Sequence, residues 1–164
     1  NLLSAYPIIA VDLHDDRLGL AKTFGATHTI NSNKADAKAM IKEIMEGQGV
    51  DAFIDNTGQP SIIEMGYELT GPKGRVVLVG VPRKGNTVNI YSLPLHFGKT
   101  ISGSHGGETI PHEDIPRYQK LFDAGRIQLK PLITDYFKLE EINTAIQKMR
   151  SGEIAGRCLI KMDF

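Results

Sequence analysis

The chain has 164 residues, 41% hydrophobic and 23% charged, with 19 basic side chains balanced by 19 acidic ones. That composition suits a globular domain with a sizeable core, and zero net charge lacks the basic excess expected of a nucleic-acid or anionic-membrane binder. One cysteine, Cys158, excludes an intrachain disulfide and a multi-cysteine metal site, which makes a reducing, cytoplasmic setting the expectation.

In chain order, residues 1–5 read as the last turn of a helix begun upstream, stopped by Pro7. The run Ile8-Ile9-Ala10-Val11-Asp12 is four apolar residues ending in a carboxylate. Such a run suits a strand buried on both faces of a parallel sheet. Asp12 then sits at a carboxyl tip, where open α/β sheets bind ligands. The plain alternative is a helix cap or a solvated loop residue. Asp15 or Asp16 opens a helix to about Phe24, with Leu18, Ala21 and Phe24 on one face and Gly25 at C′. Residues 26–31 are a short strand. Residues 35–46 are a helix with Met40, Ile41, Ile44 and Met45 on its apolar face. Residues 50–55 are a third buried-type strand with a second acidic tip.

Asn56-Thr57-Gly58 is a tight polar turn, and Pro60 stands at the N1 place of a helix to about Leu69. Gly71-Pro72-Lys73-Gly74 turns into the most apolar strand, 75–79. The order β-α-β-α-β-α-β with short connections predicts a doubly wound α/β fold, a parallel sheet with helices on both faces. The second half is less regular. It predicts a short strand at 87–90, a short helix or turn at 93–97, and a strand at 100–104 running into Gly106-Gly107. A helix at 111–124 should turn Ile115, Tyr118, Leu121 and Phe122 inward. Residues 132–137 are extended. A helix at 139–149 has Ile142, Ala145, Ile146 and Met149 on one face, and 158–162 is a final strand.

The phosphate signature G-x-G-x-x-G is absent. In dinucleotide-binding folds it stands about 20 residues before the acidic strand tip, whereas eleven residues precede Asp12. The motif was either cut off or never present, and the helix-like tail at residues 1–5 favours truncation. His14, His28, His96, His105 and His112 form no i,i+4 pair and no Cys/His cluster with ligand spacing. No metal ligand, catalytic residue or proton relay is therefore assigned. Cys158 reads as a small buried hydrophobe.

An ordered set of short runs carries more. Ile8-Ile9-Ala10-Val11-Asp12, Arg17, Ala21-Lys22, Gly25-Ala26-Thr27 and Ile30-Asn31 open it. Gly49-Val50-Asp51, Asp55, Gly58, Gly74-Arg75-Val76, Val79-Gly80-Val81-Pro82, Gly103-Ser104 and Gly106-Gly107 follow. Leu132-Ile133-Thr134, the Leu139-Glu140-Glu141-Ile142-Asn143 helix with Ala145, and Arg150-Ser151-Gly152-Glu153 with Arg157 close it. No piece is specific alone, but the series spans nearly the whole chain. It resembles the C-terminal NAD-binding domain of the zinc-type medium-chain alcohol dehydrogenases.

The resemblance implies a Rossmann-type sheet over residues 1–164, a partial dinucleotide-binding domain without the catalytic domain. Its first strand and glycine loop would lie upstream. It implies that Asp12 binds the adenosine ribose of NAD and that Arg17 lies near the adenine and its ribose. Asp12 would repel the 2′-phosphate of NADP. Thr57 and Gly58 would form the strand-end turn along the dinucleotide, and Val79, Gly80 and Val81 would run beside the nicotinamide. Ser104 and His105 would offer main-chain bonds to the carboxamide, with no need of the imidazole. Arg157 would pair with the pyrophosphate. The plain alternatives are a solvated helix charge for Arg17, an ordinary turn for Thr57-Gly58, a core strand for Val79 and an exposed arginine for Arg157.

The implied parent enzyme passes hydride from a zinc-bound alcohol to NAD. Its zinc ligands lie outside this chain, its substrate is a small alcohol or aldehyde, and it is a homodimer or homotetramer built through 87–90 and 100–104. No nucleic-acid or membrane partner is expected. Lacking a central strand, the isolated chain is expected to be unstable, or completed by other residues, and to bind NAD poorly. Two other readings stay open: a zinc-independent enone or quinone reductase using NADPH, and a non-catalytic nucleotide-binding module.

Overall fold

The first apolar run becomes β1 (Ile9–Asp12), and His28–Asn31 becomes β2. The two pair in parallel from Ile9↔His28 to Asp12↔Asn31. The structure, a computed structural model, describes residues 4–162. Between the strands runs α1 (Asp15–Thr23), with Asp15 and Asp16 in its first turn where the helix dipole favours carboxylates. Thr27 pins the strand start: its hydroxyl donates to the Ile8 carbonyl at 3.0 Å and accepts the Ile8 amide at 2.9 Å. After α2 (Ala37–Ile44) come β3 (Val50–Asp55), α3 (Pro60–Leu69), β4 (Thr70–Leu78) and β5 (Thr100–Gly103). The chain continues through α4 (Pro111–Asp123), β6 (Ile133–Lys138), α5 (Ile142–Ser151) and β7 (Arg157–Lys161).

These elements form two compact units. One comprises the chain up to Ala37 together with the chain from Ile115 onward; the other is Lys38–Asp114. In the first unit, Leu18 and Ile30 are buried, and α1 packs on both β1 and β2. The same unit holds the parallel pair β6–β7, covered by α5. Phe137, Ala145 and Ile154 form its buried cluster, with Cys158 and Ile160 packed against them. Cys158 is half-buried, its sulfur 3.6 Å from that of Met149, in keeping with a small packing residue.

The second unit is a three-stranded parallel sheet in the order β3-β4-β5. Its core is Ile41, Ile63, Tyr67, Leu69 and the fully buried Val76 of the central strand. The C-terminus of α3 is closed by two side chains. The Thr70 hydroxyl donates to the Gly66 carbonyl at 2.6 Å, and the Lys99 ammonium donates to the Tyr67 carbonyl at 2.8 Å. The Gly66 carbonyl also accepts the Thr70 amide, whereas Lys99 serves one of the carbonyls that a helix end leaves without intrahelical partners.

Several expectations need correction. Residues 87–90 form no strand. The Asn89 amide donates instead to the Glu64 carboxylate at 2.7 Å, and the Tyr91 carbonyl accepts the Tyr67 hydroxyl at 2.9 Å. Side-chain bonds anchor that segment, so it makes no ladder. The turn at 71–74 lies inside β4, as an excursion where pairing jumps from Val50↔Thr70 to Ala52↔Arg75. Pro72 has no amide to give a ladder there. The strands are not buried on both faces. Along β3, Phe53 and Asp55 point to the covered side while Ala52 and Ile54 are exposed, the alternation of a strand covered on one face.

Helix faces are also less covered than their patterns imply. Phe24, Ile115 and Tyr118 are exposed, and on α5 only Ala145 is buried while Ile142, Ile146 and Met149 are exposed. Periodicity tells which residues share a face, and nothing in these units covers those faces. Of the expected helical tail at residues 1–5, the first three lie outside the described residues. Ser4, at φ 57°, and Ala5 are not helical.

Candidate functional site

In each unit a parallel strand ends in an aspartate, Asp12 on β1 and Asp55 on β3, and the carboxyl ends of parallel strands are where α/β sheets bind ligands. In the first unit Asp12 ends β1 and faces Asn31 at the end of β2. The Asp12 carboxylate accepts the His14 amide at 2.9 Å and lies 3.9 Å from the Arg17 guanidinium. It thus forms an Asx-type turn into α1 and pairs with a charge one helical turn on. Both side chains stay about a third exposed, at 31% and 35%, so the carboxylate is held in place yet reachable from solvent.

Neighbouring charges are committed elsewhere. Asp15 accepts Lys34 at 2.5 Å and Asn31 at 2.7 Å. The Lys34 and Asn31 hydrogen bonds hold its carboxyl below the usual range. Gly152, the left-handed C-cap of α5, sits against this corner. A Cβ there would lie 3.0 Å from the His14 ring and 3.5 Å from the Arg17 guanidinium. Arg17 is therefore framed by a carboxylate and a helix C-terminus, both favourable to a cation. Arg157, in the same unit, opens β7 and is exposed, its guanidinium 3.5 Å from the Gly156 carbonyl.

In the second unit one row of register partners, Asp55↔Leu78↔Gly103, marks the carboxyl ends of all three strands. The remaining sequence-predicted residues leave from this row. Thr57 and Gly58 follow β3, Val79, Gly80 and Val81 follow β4, and Ser104 and His105 follow β5. The Ser104 amide donates to the Leu78 carbonyl at 2.9 Å, and its hydroxyl accepts the Gly107 amide at 3.0 Å. His105 is exposed, and its amide meets the Glu108 carboxylate at 3.4 Å. Val79 and Val81 are exposed at 48% and 90%, so the chain after β4 presents an apolar surface beside its own backbone.

The residue that organises this row is Asp55, which the sequence reading noted only as an acidic tip. It is 1% exposed. Its carboxylate accepts the Thr57 amide at 3.0 Å, the Thr57 hydroxyl at 2.6 Å and the Gly58 amide at 2.9 Å. Its carbonyl accepts the Val79 and Gly80 amides at 2.7 and 2.9 Å. One residue thus ties the turn after β3 to the turn after β4. The two turns touch through their glycines. A Cβ on Gly80 would lie 2.3 Å from the Gly58 nitrogen, and one on Gly58 would lie 2.6 Å from the Val81 oxygen. The available signal was Asp55-Asn56-Thr57-Gly58 itself, an Asx-turn sequence at a strand end.

The profile of the zinc-binding dehydrogenases matches residues 2–124. The chain belongs to that family. It is 31% identical over 153 residues to the L-threonine 3-dehydrogenase of Bacillus velezensis, covering 93% of this chain and 44% of the relative. It is 33% identical over 166 residues to alcohol dehydrogenase 1 of Pisum sativum, covering 99% and 43%. The crystal structure of benzyl alcohol dehydrogenase from Acinetobacter calcoaceticus superposes with a TM-score of 0.87 at 37% identity, over 97% of this chain and 43% of that one. The chain thus spans less than half the length of the relatives it matches, and its fold is the Rossmann-type α/β fold of their dehydrogenase domains.

Proposed function

We propose that this chain holds and orients NAD for an oxidoreductase acting on a small alcohol or aldehyde. The observation that carries the reading is the Asp12 carboxylate at the carboxyl end of a parallel strand, steadied by the His14 amide and Arg17 but still exposed. A carboxylate so placed accepts hydrogen bonds from the two hydroxyls of an adenosine ribose, and it repels a 2′-phosphate. The donor and acceptor chemistry present fits a dinucleotide. The exposed Val79 and Val81 offer an apolar surface, and the segments after β4 and β5 offer backbone groups for a carboxamide.

Bound to these residues, NAD supplies the hydride acceptor; the chain supplies position, which lowers the entropic part of the barrier. Asp12 fixes the ribose and Arg17 lies along the adenine side. Val79, Gly80 and Val81 hold the nicotinamide plane, with Ser104 and His105 contributing main chain. Arg157 is the candidate for the pyrophosphate. Among the described residues, no three His, Cys, Asp or Glu side chains are grouped so as to hold a metal ion. The described residues therefore do not fit zinc.

The test is cofactor choice. Wild type is expected to bind NAD more tightly than NADP. Asp12→Ser is expected to weaken NAD by about tenfold, the scale of a charge-assisted hydrogen bond. It also frees Arg17 for a 2′-phosphate, so NADP is expected to gain. Equal affinity of wild type for both, read by calorimetric titration, would sink the reading.

We also propose self-association, as a homodimer or homotetramer, through β5. Among the described residues this strand pairs only with β4, and it lies at the sheet margin with Thr100, Ser102 and Gly103 exposed. A strand edge of this kind is a pairing site. Gly103→Pro removes an amide on the open side of the strand, opposite to the Ser104 amide that bonds Leu78, and is expected to shift sedimentation toward monomer. An unchanged sedimentation profile would exclude β5 as the contact.

A further inference from the structure

Asp55 is a buried carboxylate that makes no ion pair among the described residues. Asp55 receives three donors and is closed from solvent. The turn it holds leads directly into α3, whose N-cap is Gln59 and whose first residue is Pro60. A helix N-terminus is an anion site by its free amides and dipole. Ahead of that end, the Thr57 and Gly58 amides point inward to the chain's own Asp55 carboxylate. The Thr57 hydroxyl is used as well, donating to Asp55 and accepting the Gln59 amide at 3.1 Å. The Thr57, Gly58 and Gln59 amides and the Thr57 hydroxyl are therefore occupied from within. What the turn offers outward is its shape and its distance from the Val79–Gly80 backbone, and Asp55 sets both.

We propose that Asp55 is a positioning residue for the nicotinamide side of the cofactor, a role that rests on the NAD reading above. It touches no reacting atom. It fixes the turn after β3 with its carboxylate and the turn after β4 with its carbonyl, so the surface of Val79, Gly80 and Val81 is held at one place. The acceptor-only chemistry of a carboxylate is essential to this. Asparagine has the same size, but its amide group would meet the Gly58 or Thr57 N–H donor to donor. Asp55→Asn should therefore release one turn while leaving side-chain volume unchanged.

The distinguishing probes are NADH and ADP-ribose, which share the adenosine and pyrophosphate but differ in the nicotinamide. Both are titrated into the full chain, into the millimolar range. Asp55→Asn is expected to weaken NADH by about tenfold or more, the loss that follows an unsatisfied buried donor. ADP-ribose affinity is expected to stay within about twofold, and hydrogen exchange at Gly58 and Gly80 to speed up. Should Asp55→Asn fail to fold, Thr57→Val removes the hydroxyl's bonds to Asp55 and to the Gln59 amide and keeps the Thr57 and Gly58 amides on the carboxylate. It is expected to shift NADH by about threefold in the same direction, again sparing ADP-ribose.

Equal losses for NADH and ADP-ribose would reduce Asp55 to a structural residue and overturn the proposal. So would unchanged NADH binding. Asp12→Ser, by contrast, is expected to weaken both probes, because it acts on the half they share. If wild type binds neither probe, the NAD reading itself fails and the proposal falls with it.

Discussion

Gly80→Ala is expected to destabilise the second unit by about 4 kcal/mol or more, among the largest effects a single methyl group can have. The reason is where the methyl would go. Its Cβ would lie 2.3 Å from the Gly58 nitrogen and 2.6 Å from both the Asn56 carbonyl carbon and the Thr57 nitrogen. All three are backbone atoms, so no side-chain rotation relieves the contact. The turns after β3 and β4 must separate, which strains the Val79 and Gly80 bonds to the Asp55 carbonyl. Gly103→Ala is the control: nothing lies within 4 Å of a Cβ there. It is expected to change stability by no more than about 0.5 kcal/mol. Gly58→Ala adds a positive φ of 67° to its own contact with Val81. Since each substitution pushes the same two turns apart, the double variant is expected to cost less than the sum of the singles. Denaturant unfolding of the four variants measures this. A Gly80→Ala midpoint equal to wild type would show that the turns do not approach this closely.

The sequence made the alternation of strands and helices legible because glycine and proline punctuate it. Gly25, Gly47 and Pro60 separate runs whose apolar spacing differs: α1 ends before Gly25, α2 ends before Gly47 and α3 begins at Pro60. Asp12 was legible as a strand tip for the same reason. What could not be read was whether a face is covered. Ile115 and Tyr118 recur at helical spacing yet remain exposed, since spacing carries no information about a neighbour. The alternation in Thr87-Val88-Asn89-Ile90 suggested a strand, but the Glu64 carboxylate took the Asn89 amide that a ladder would need. Nor could the sequence show that Asp55, of two acidic strand ends, is the one turned inward. Asp12 and Asp55 end similar apolar runs. One is followed by a charged helix start, the other by Asn-Thr-Gly, whose turn wraps back onto the carboxylate.

Lys99 is the other place where one side chain decides the stability of the second unit. It is 7% exposed, donates to the Tyr67 carbonyl at 2.8 Å and lies 4.5 Å from the centre of the Tyr67 ring. It arrives from 32 residues downstream to close the C-terminus of α3, which has no basic residue in its own last turn. A cation there meets the negative end of the helix dipole. Lys99→Met keeps much of the apolar stem but leaves the Tyr67 carbonyl buried without its donor. It is expected to cost about 2–3 kcal/mol, a fall in melting temperature of roughly 6–9 °C for a chain of this size.

The pH dependence has a definite sign. Burial pushes the Lys99 ammonium below the ordinary lysine value of 10.5. The unfolded chain therefore holds that proton more tightly than the folded one. Between the lowered value and 10.5, the unfolded state binds more protons and stability rises with pH. Below that window the penalty for burying the charge is fully present; above it the amine is neutral in both states and still donates to Tyr67. The stability gap between wild type and Lys99→Met is thus expected to widen as pH climbs through the alkaline window, with titrations common to both chains cancelling. A gap that stays constant or narrows would mean that the ammonium remains hydrated, and that α3 is closed by Thr70 alone.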